Sequence, residues 1–171
     1  MNIFRSSICL SLMRTIILFF VLFFSGCVTQ NKKIHTGLIG KVIGVTDGDT
    51  FKLLTEDKKQ VKIRLYGIDC PEKKQDYGQV AKQKLSELIF NQYVTVEEKD
   101  SDRYGRKIAI VYNESGDCIN EEMLKAGLAW HYKQYDGNAD WARMEEQAKT
   151  AKLGIWSKHD AIAPWLWRKE R

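Results

Sequence analysis

Val61-Lys62-Ile63-Arg64-Leu65-Tyr66-Gly67-Ile68-Asp69-Cys70-Pro71-Glu72 is the stretch on which the reading of the fold turns. Its first half alternates apolar with polar or amphipathic side chains, the period-two pattern of a half-buried strand. Val61, Ile63 and Leu65 face one way, so Arg64 points to the other face, away from the side that supplies a small-barrel core. The second half closes the strand in a turn that carries two carboxylates, Asp69 and Glu72, with Pro71 between them to restrain the backbone.

Towards the N-terminus, residues 37–46 carry Leu38, Ile39, Val42, Ile43 and Val45. The Asp47-Gly48 turn signal follows, and residues 50–54 resume the apolar pattern, so the two segments form a hairpin. Lys58-Lys59 marks the next turn. Towards the C-terminus, residues 77–90 switch to helical spacing: Ala81, Leu85, Leu88 and Ile89 share a stripe, and Lys82, Lys84 and Glu87 form the solvated face. Residues 93–97 and 107–112 are β-branched or aromatic and predict two more strands, separated by a charged turn over 99–103.

Asn120 is the expected N-cap of a short helix ending at Gly127, with Glu121 and Glu122 near its positive end. Asn138 caps a further helix with the stripe Trp141, Met144, Ala148 and Ala151, and Gly154 suits the left-handed position that stops it. Strands first and helices later is an α+β order. Five antiparallel strands with a helix inserted after the third suit a closed Greek-key barrel, the five-stranded OB-fold type, with about three helices.

The first part of the 171-residue chain reads separately. Arg14 precedes an apolar run over 15–24 that ends in Ser25-Gly26-Cys27, a secretory signal pattern, shorter than the roughly 20 residues a membrane span needs. Ser25-Gly26-Cys27 resembles a bacterial lipobox, with Phe24 where that pattern prefers Leu. The organisation expected is therefore a signal peptide over 1–26, a polar tether over 27–36 and one folded domain over 37–171. Lipidation at Cys27 would anchor the exported protein to a membrane leaflet. An ordinary signal-peptidase cut, giving a secreted or periplasmic soluble protein, is the alternative, and Met1 and Met13 are both admissible starts.

Residues 1–26 contain Arg5 and Arg14 and no acid, so their removal lowers the formal charge from +5 to +3. A mildly basic domain suits a polyanionic partner without requiring one. With Cys9 and Cys27 in the targeting segment, Cys70 and Cys118 are left either to pair or to stay as buried thiols. There is no cysteine-histidine zinc spacing, no phosphate-cradling glycine loop and no nucleophile elbow. His35, His131 and His159 sit in no constellation with the carboxylates. Trp141, Trp156, Trp165 and Trp167 are expected to pack, the last two against the barrel.

Three clusters carry chemistry. Asp47-Gly48-Asp49-Thr50 is a hairpin turn in its simplest reading, yet turn chemistry does not require the second acid. Asp69 and Asp49 are two hard oxygen donors for a cation if their strands are neighbours, and such donors admit calcium, magnesium or manganese alike. Asp102-Arg103-Tyr104-Gly105-Arg106 adds a tight turn and a guanidinium. Acids for a cation together with two arginines match the charge that grows on phosphate oxygens during phosphodiester hydrolysis.

In order and spacing, Thr46-Asp47-Gly48-Asp49-Thr50, Ile63-Arg64-Leu65, Gly67-Ile68-Asp69-Cys70-Pro71-Glu72, Asp102-Arg103-Tyr104-Gly105-Arg106 and residues 120–130 closely resemble the staphylococcal nuclease (thermonuclease) family, over about 37–156. The resemblance implies a calcium-dependent nuclease that hydrolyses DNA and RNA to 3′-phosphate and 5′-hydroxyl ends. It implies calcium (Ca2+) ligands at Asp49, Asp69 and the Cys70 backbone carbonyl, phosphate-binding arginines at Arg64 and Arg106, and a general base at Glu72. Tyr104, Tyr132 and Tyr135 would contact substrate, and a monomer is expected.

Two departures from the family pattern are Cys70 in place of Thr and a shorter loop over 73–78, which borders the substrate cleft. Two other functions remain open at this level. One is a non-catalytic nucleic-acid-binding OB-fold module, and the other is a surface lipoprotein whose acids bind calcium for stability alone.

Overall fold

Alternation builds the barrel wall. In β2 (Thr50–Thr55), Phe51 and Leu53 are fully buried while Lys52 is exposed, and in β3 (Gln60–Leu65), Ile63 and Leu65 are buried around a half-buried Arg64. The structure, a computed structural model, describes residues 35–170. The expected signal peptide over 1–26, Cys27 and most of the expected tether lie outside the described residues.

β1 (Leu38–Val45), β2, β3, β5 (Tyr93–Ser101) and β6 (Lys107–Asn113) close into a five-stranded barrel in the order β1-β2-β3-β6-β5. β1 pairs with β2 and β5, and β2 with β3, all antiparallel. One feature departs from the all-antiparallel expectation: β3 and β6 run parallel, with Arg64 opposite Ile108. Parallel neighbours need a long crossover, which here contains β4 (Ile68–Asp69), helix α1 (Gly78–Ile89) and β5. Strand β5 also reaches Ser101, so the charged segment after Glu97 is mostly strand and the turn narrows to residues 102–106.

Register matters more than strand count. Slipping β3 by one residue would turn Arg64 into a core of Phe51, Leu53, Ile63, Val94, Val96 and Val111, where an unpaired charge is not tolerated. Each large side chain kept in that core contributes roughly 1.5–3 kcal/mol over leaving it exposed.

The helices cap the barrel. α1 presents Ala81, Leu85 and Ile89 to the core, and Leu88 is partly buried against it. α3 (Ala139–Thr150) begins as its sequence predicts, with Asn138 Oδ1 accepting the N–H groups of Asp140 and Trp141. It ends earlier than expected, because Lys152 takes the positive φ and Ala151 is exposed. Gly154 is left-handed as expected, φ 52°, but lies two residues beyond that stop, and a Cβ there would lie 2.3 Å from the Gly127 carbonyl oxygen. A 3-10 turn (Gly154–Ser157) and a fourth short helix, α4 (Pro164–Trp167), follow.

α2 (Ile119–Lys125) starts after Cys118, so Asn120 is not its cap. Asn120 is fully buried, accepts the Val111 N–H at 3.0 Å and donates to the carbonyls of Tyr66 (2.9 Å) and Ala109 (3.3 Å). It replaces ladder hydrogen bonds where β3 and β6 part. Asn120→Leu is therefore expected to destabilise the domain by at least about 2 kcal/mol, the cost of buried backbone groups left without partners. A urea melt within about 0.5 kcal/mol of wild type would contradict that role. Cys70 and Cys118 are both free thiols. Among the described residues no helix is long and apolar enough to cross a membrane.

Candidate active site

The sheet brings Asp49 and Arg64 together before any side chain is considered. Thr50 pairs with Arg64 across β2 and β3, and the Asp49 carbonyl accepts the Leu65 N–H at 2.9 Å. A second small sheet presents Asp69: β4 pairs with β7 (Trp130–His131), with Asp69 opposite Trp130. Between them the Arg64 guanidinium forms a fork, Nη1 donating to Asp49 Oδ1 and Nη2 to Asp69 Oδ1, each at 2.7 Å.

Gly48 holds the hairpin tip against this cluster. A Cβ at Gly48 would meet the Cβ atoms of Ala81 and Cys70 at 2.7 and 2.8 Å, so the glycine is required by packing. The Cys70 thiol donates to the Gly48 carbonyl and is pushed well up by burial, with the charge of Asp49 adding to it. The Cys70 N–H donates to Asp49 Oδ2 at 3.1 Å. The cysteine side chain is thereby turned towards the hairpin, leaving any ligand role at this residue to its backbone. Gly78 does a related service for the next loop, since a Cβ there would sit 2.0 Å from the Glu72 carbonyl oxygen.

The β5–β6 turn supplies the other wall. Asp102 Oδ1 accepts the N–H groups of Tyr104 (2.8 Å) and Arg106 (3.0 Å), and Asp102 Oδ2 accepts from Arg106 Nε at 2.6 Å. Arg106 lines a cleft of about 700 Å3 together with Asp49, Arg64, Glu72, Tyr104, Tyr132 and Tyr135. Tyr104 is two-thirds exposed, with the Arg103 guanidinium 4.9 Å from its ring. Tyr132 and Tyr135 meet edge to face at 4.9 Å.

Seven of the eight side chains expected to act on substrate or cation therefore line one cleft, and the eighth, Asp69, lies behind it, bonded to Arg64 and Arg168. Asp49 is 3% and Asp69 0% exposed. Burial lifts the Asp69 carboxyl, opposed by its bond to Arg168 and the charges of Arg64 and Arg168. Burial works against the Arg64 charge too, but Asp49 and Asp69 outweigh it and hold the guanidinium above its ordinary value. Three carboxylates, Asp49, Asp69 and Glu72, share the two guanidiniums of Arg64 and Arg168, an imbalance that a cation would offset.

Its chemistry also limits which cation. Among the described residues no group of three or more His, Cys, Asp or Glu side chains is arranged to hold a metal. Asp49 and Asp69 would have to share the ion with a backbone carbonyl such as that of Cys70 and with water, an all-oxygen set that suits a hard divalent cation. Those residues fit calcium, as they would magnesium or manganese.

Two residues at the cleft were missed in the sequence. Asp47 was read as turn chemistry; its carboxyl is pushed up to about 7, by burial first and then by the charge of Asp49. Two acids flanking one glycine were the available signal. Arg168, which lies beyond every recognised motif, bonds both Asp69 and Glu72. His131 proves structural: its ring Nε2 lies 2.8 Å from Asp136 Oδ2, a carboxylate that accepts its N–H, and the ring meets Trp141 edge to face.

The sign of the Asp47 effect is fixed. A carboxyl whose folded value lies near 7 and whose ordinary value is 3.8 binds its proton more tightly in the folded chain. In chelator, stability should therefore decline as pH rises from about 4 to about 7. Asp47→Asn should flatten that decline in urea melts at pH 5 and pH 8, and equal slopes in the two proteins would refute the assignment.

Residues 62–158 match the family model described as staphylococcal nuclease homologue. A protein of Escherichia coli O157:H7 named as an uncharacterized endonuclease is 40% identical over 132 residues, covering 77% of this chain and 86% of its own length. One of the same description from Haemophilus influenzae is 40% identical over 130 residues, covering 76% and 72%. A Shigella flexneri protein named micrococcal nuclease is 39% identical over 141 residues, covering 76% and 80%.

Proposed function

The chain belongs to the staphylococcal nuclease homologue family, and on that premise we propose that it is a calcium-dependent nuclease cleaving phosphodiester bonds of DNA and RNA to 3′-phosphate and 5′-hydroxyl ends. The observation that carries this reading is the convergence of Arg64, Arg106, Glu72 and Asp49 on one cleft, with Asp69 buried behind it and bonded to Arg64. A module that only bound nucleic acid would need the basic and aromatic residues but not two buried acids bridged by an arginine.

The side chains divide the work. A divalent cation at Asp49 and Asp69 would supply Lewis-acid stabilisation of charge on the phosphate. Arg64 and Arg106 offer guanidinium forks to the phosphate oxygens, and both are held in place by carboxylates, so little reorganisation is needed as charge grows. Glu72, 38% exposed at its side chain, sits where a carboxylate can orient a water and accept its proton. Water adds to phosphorus as Glu72 takes its proton, the bond to the 5′ oxygen breaks, and that oxygen takes up a proton from solvent water as the 5′-hydroxyl. Tyr104, Tyr132 and Tyr135 provide aromatic faces on which bases stack without sequence preference.

Incubation of single-stranded DNA and of RNA with the protein, in calcium or in chelator, is the direct test. Cleavage in calcium alone is expected, and equal results in both conditions would sink the calcium requirement. We also propose export, with residues 1–26 removed and Cys27 lipidated; the mass of the mature N-terminus distinguishes this from a secreted or periplasmic form.

A further inference from the structure

Arg168 is the least expected group at the cleft. Its Nη2 donates to Asp69 Oδ2 at 2.7 Å, while Nη1 donates to Glu72 Oε1 at 2.7 Å and lies 3.3 Å from Asp69 Oδ1. Arg64 and Arg168 thus grip Asp69 from two sides, but they differ in freedom. The Arg64 side chain is 18% exposed and rises from a barrel strand, whereas that of Arg168 is 42% exposed and follows a short helix.

The segment that delivers Arg168 is built onto the site. Trp165 stacks on Tyr132, with ring centroids 4.9 Å apart and planes 5° from parallel. Gln75, itself buried, donates to the Ile162 carbonyl at 2.5 Å and accepts the Glu72 N–H at 3.1 Å, so one side chain ties the Glu72 loop to the C-terminal segment. Ala163 packs with Trp130 and Ile155 in a small apolar cluster beneath. Removing Arg168 would therefore leave its supports in place.

A cation at Asp69 and the Arg168 guanidinium need the same carboxylate oxygens, and both are positive. They exclude each other, and of the two arginines Arg168 is the one with room to move. A guanidinium released there is still tethered at the mouth of a cleft that holds Arg64 and Arg106. The ligand there that answers its charge and fork geometry is a phosphate.

Resting on the nuclease reading above, we propose that Arg168 is a third phosphate-binding arginine of this site, which yields Asp69 to the cation and pairs with the phosphate backbone of the bound strand. The carboxylates serve as its counter-ions until substrate replaces them. Cation binding and strand binding become coupled through one side chain, since the ion displaces the guanidinium and the strand captures it.

The test uses Arg168→Ala and Arg168→Lys in the full chain, with three readouts. In calcium titrations by calorimetry without nucleic acid, Arg168→Ala should bind calcium about fivefold to tenfold more tightly, because the competing guanidinium is gone. In saturating calcium its affinity for a fluorescent single-stranded oligonucleotide should fall by about tenfold, and kcat/KM for cleavage by about a hundredfold. Arg168→Lys, which keeps the charge but loses the fork, should lie between.

Unchanged calcium affinity in Arg168→Ala overturns the proposal, and so does strand binding or cleavage equal to or above wild type, which would make the arginine only an obstruction. Should Arg168→Ala unfold, Arg168→Lys decides by the same readouts: wild-type values in all three overturn it. A wild-type protein that binds calcium and strand but cleaves nothing would end the nuclease reading, while the calcium and oligonucleotide titrations would still decide this one.

Discussion

Arg64→Ala should reduce cleavage by about three orders of magnitude or more, the scale associated with loss of an arginine aimed at transition-state phosphate charge, and should destabilise the metal-free domain at the same time. Arg64 bridges Asp49 and Asp69, whose side chains are 5% and 0% exposed. Removing it leaves two buried carboxylates with like charge and one counter-ion fewer. Breaking a buried pair from one side costs about 3–5 kcal/mol.

Calcium should restore part of that stability, because the ion neutralises the same two acids and binds only the folded arrangement. Urea melts in chelator and in calcium measure both effects. An Arg64→Ala protein as stable as wild type in chelator would mean that the fork seen between Asp49 and Asp69 contributes nothing, and the electrostatic account of the site would fall with it.

Glu72→Gln is the second large effect. A glutamine keeps the shape and can still accept from Arg168, but it cannot take a proton from water, so kcat should drop by about 10²- to 10⁴-fold. Glu72 touches neither Asp49 nor the barrel core; its N–H is held by Gln75 and its carboxylate by Arg168. Oligonucleotide affinity in calcium and the urea midpoint should therefore stay within about twofold and 0.5 kcal/mol of wild type. A variant that retains wild-type kcat would remove Glu72 from the proton transfer and leave the cation and arginines as the whole of the catalytic machinery.

The contrast between these two variants separates charge balance from proton transfer. Arg64 sits on a strand and is paired with buried acids, so its loss is felt in both folding and chemistry. Glu72 lies on a loop between β4 and α1, partly exposed, and its loss is felt in chemistry alone.

Much of this arrangement was legible in one dimension. Alternation over 61–66 placed Arg64 outside the barrel core, and the helical stripe of Ala81, Leu85 and Ile89 predicted the face that α1 buries. The Asn138 cap was equally readable, because a cap is satisfied by backbone groups within three residues. Asn120 was misread for the converse reason. It looks like a cap by position, but its partners are Val111, Tyr66 and Ala109, up to 54 positions away.

Local periodicity and ordered motifs by themselves determined the α+β class, the five strands of the barrel, the family and most of the charged and aromatic side chains at the cleft, since side-chain direction in a strand follows from a period of two and turn chemistry from neighbouring residues. Only the tertiary structure decided that β3 and β6 run parallel, that Gly48 and Gly78 are demanded by close packing, and that Arg168 closes on Asp69 and Glu72 from about a hundred positions along the chain. Those contacts join residues with no sequence period in common. They exist because barrel closure and the docking of the C-terminal helix bring distant segments within reach of buried charge, which takes whichever counter-ion the fold sets beside it.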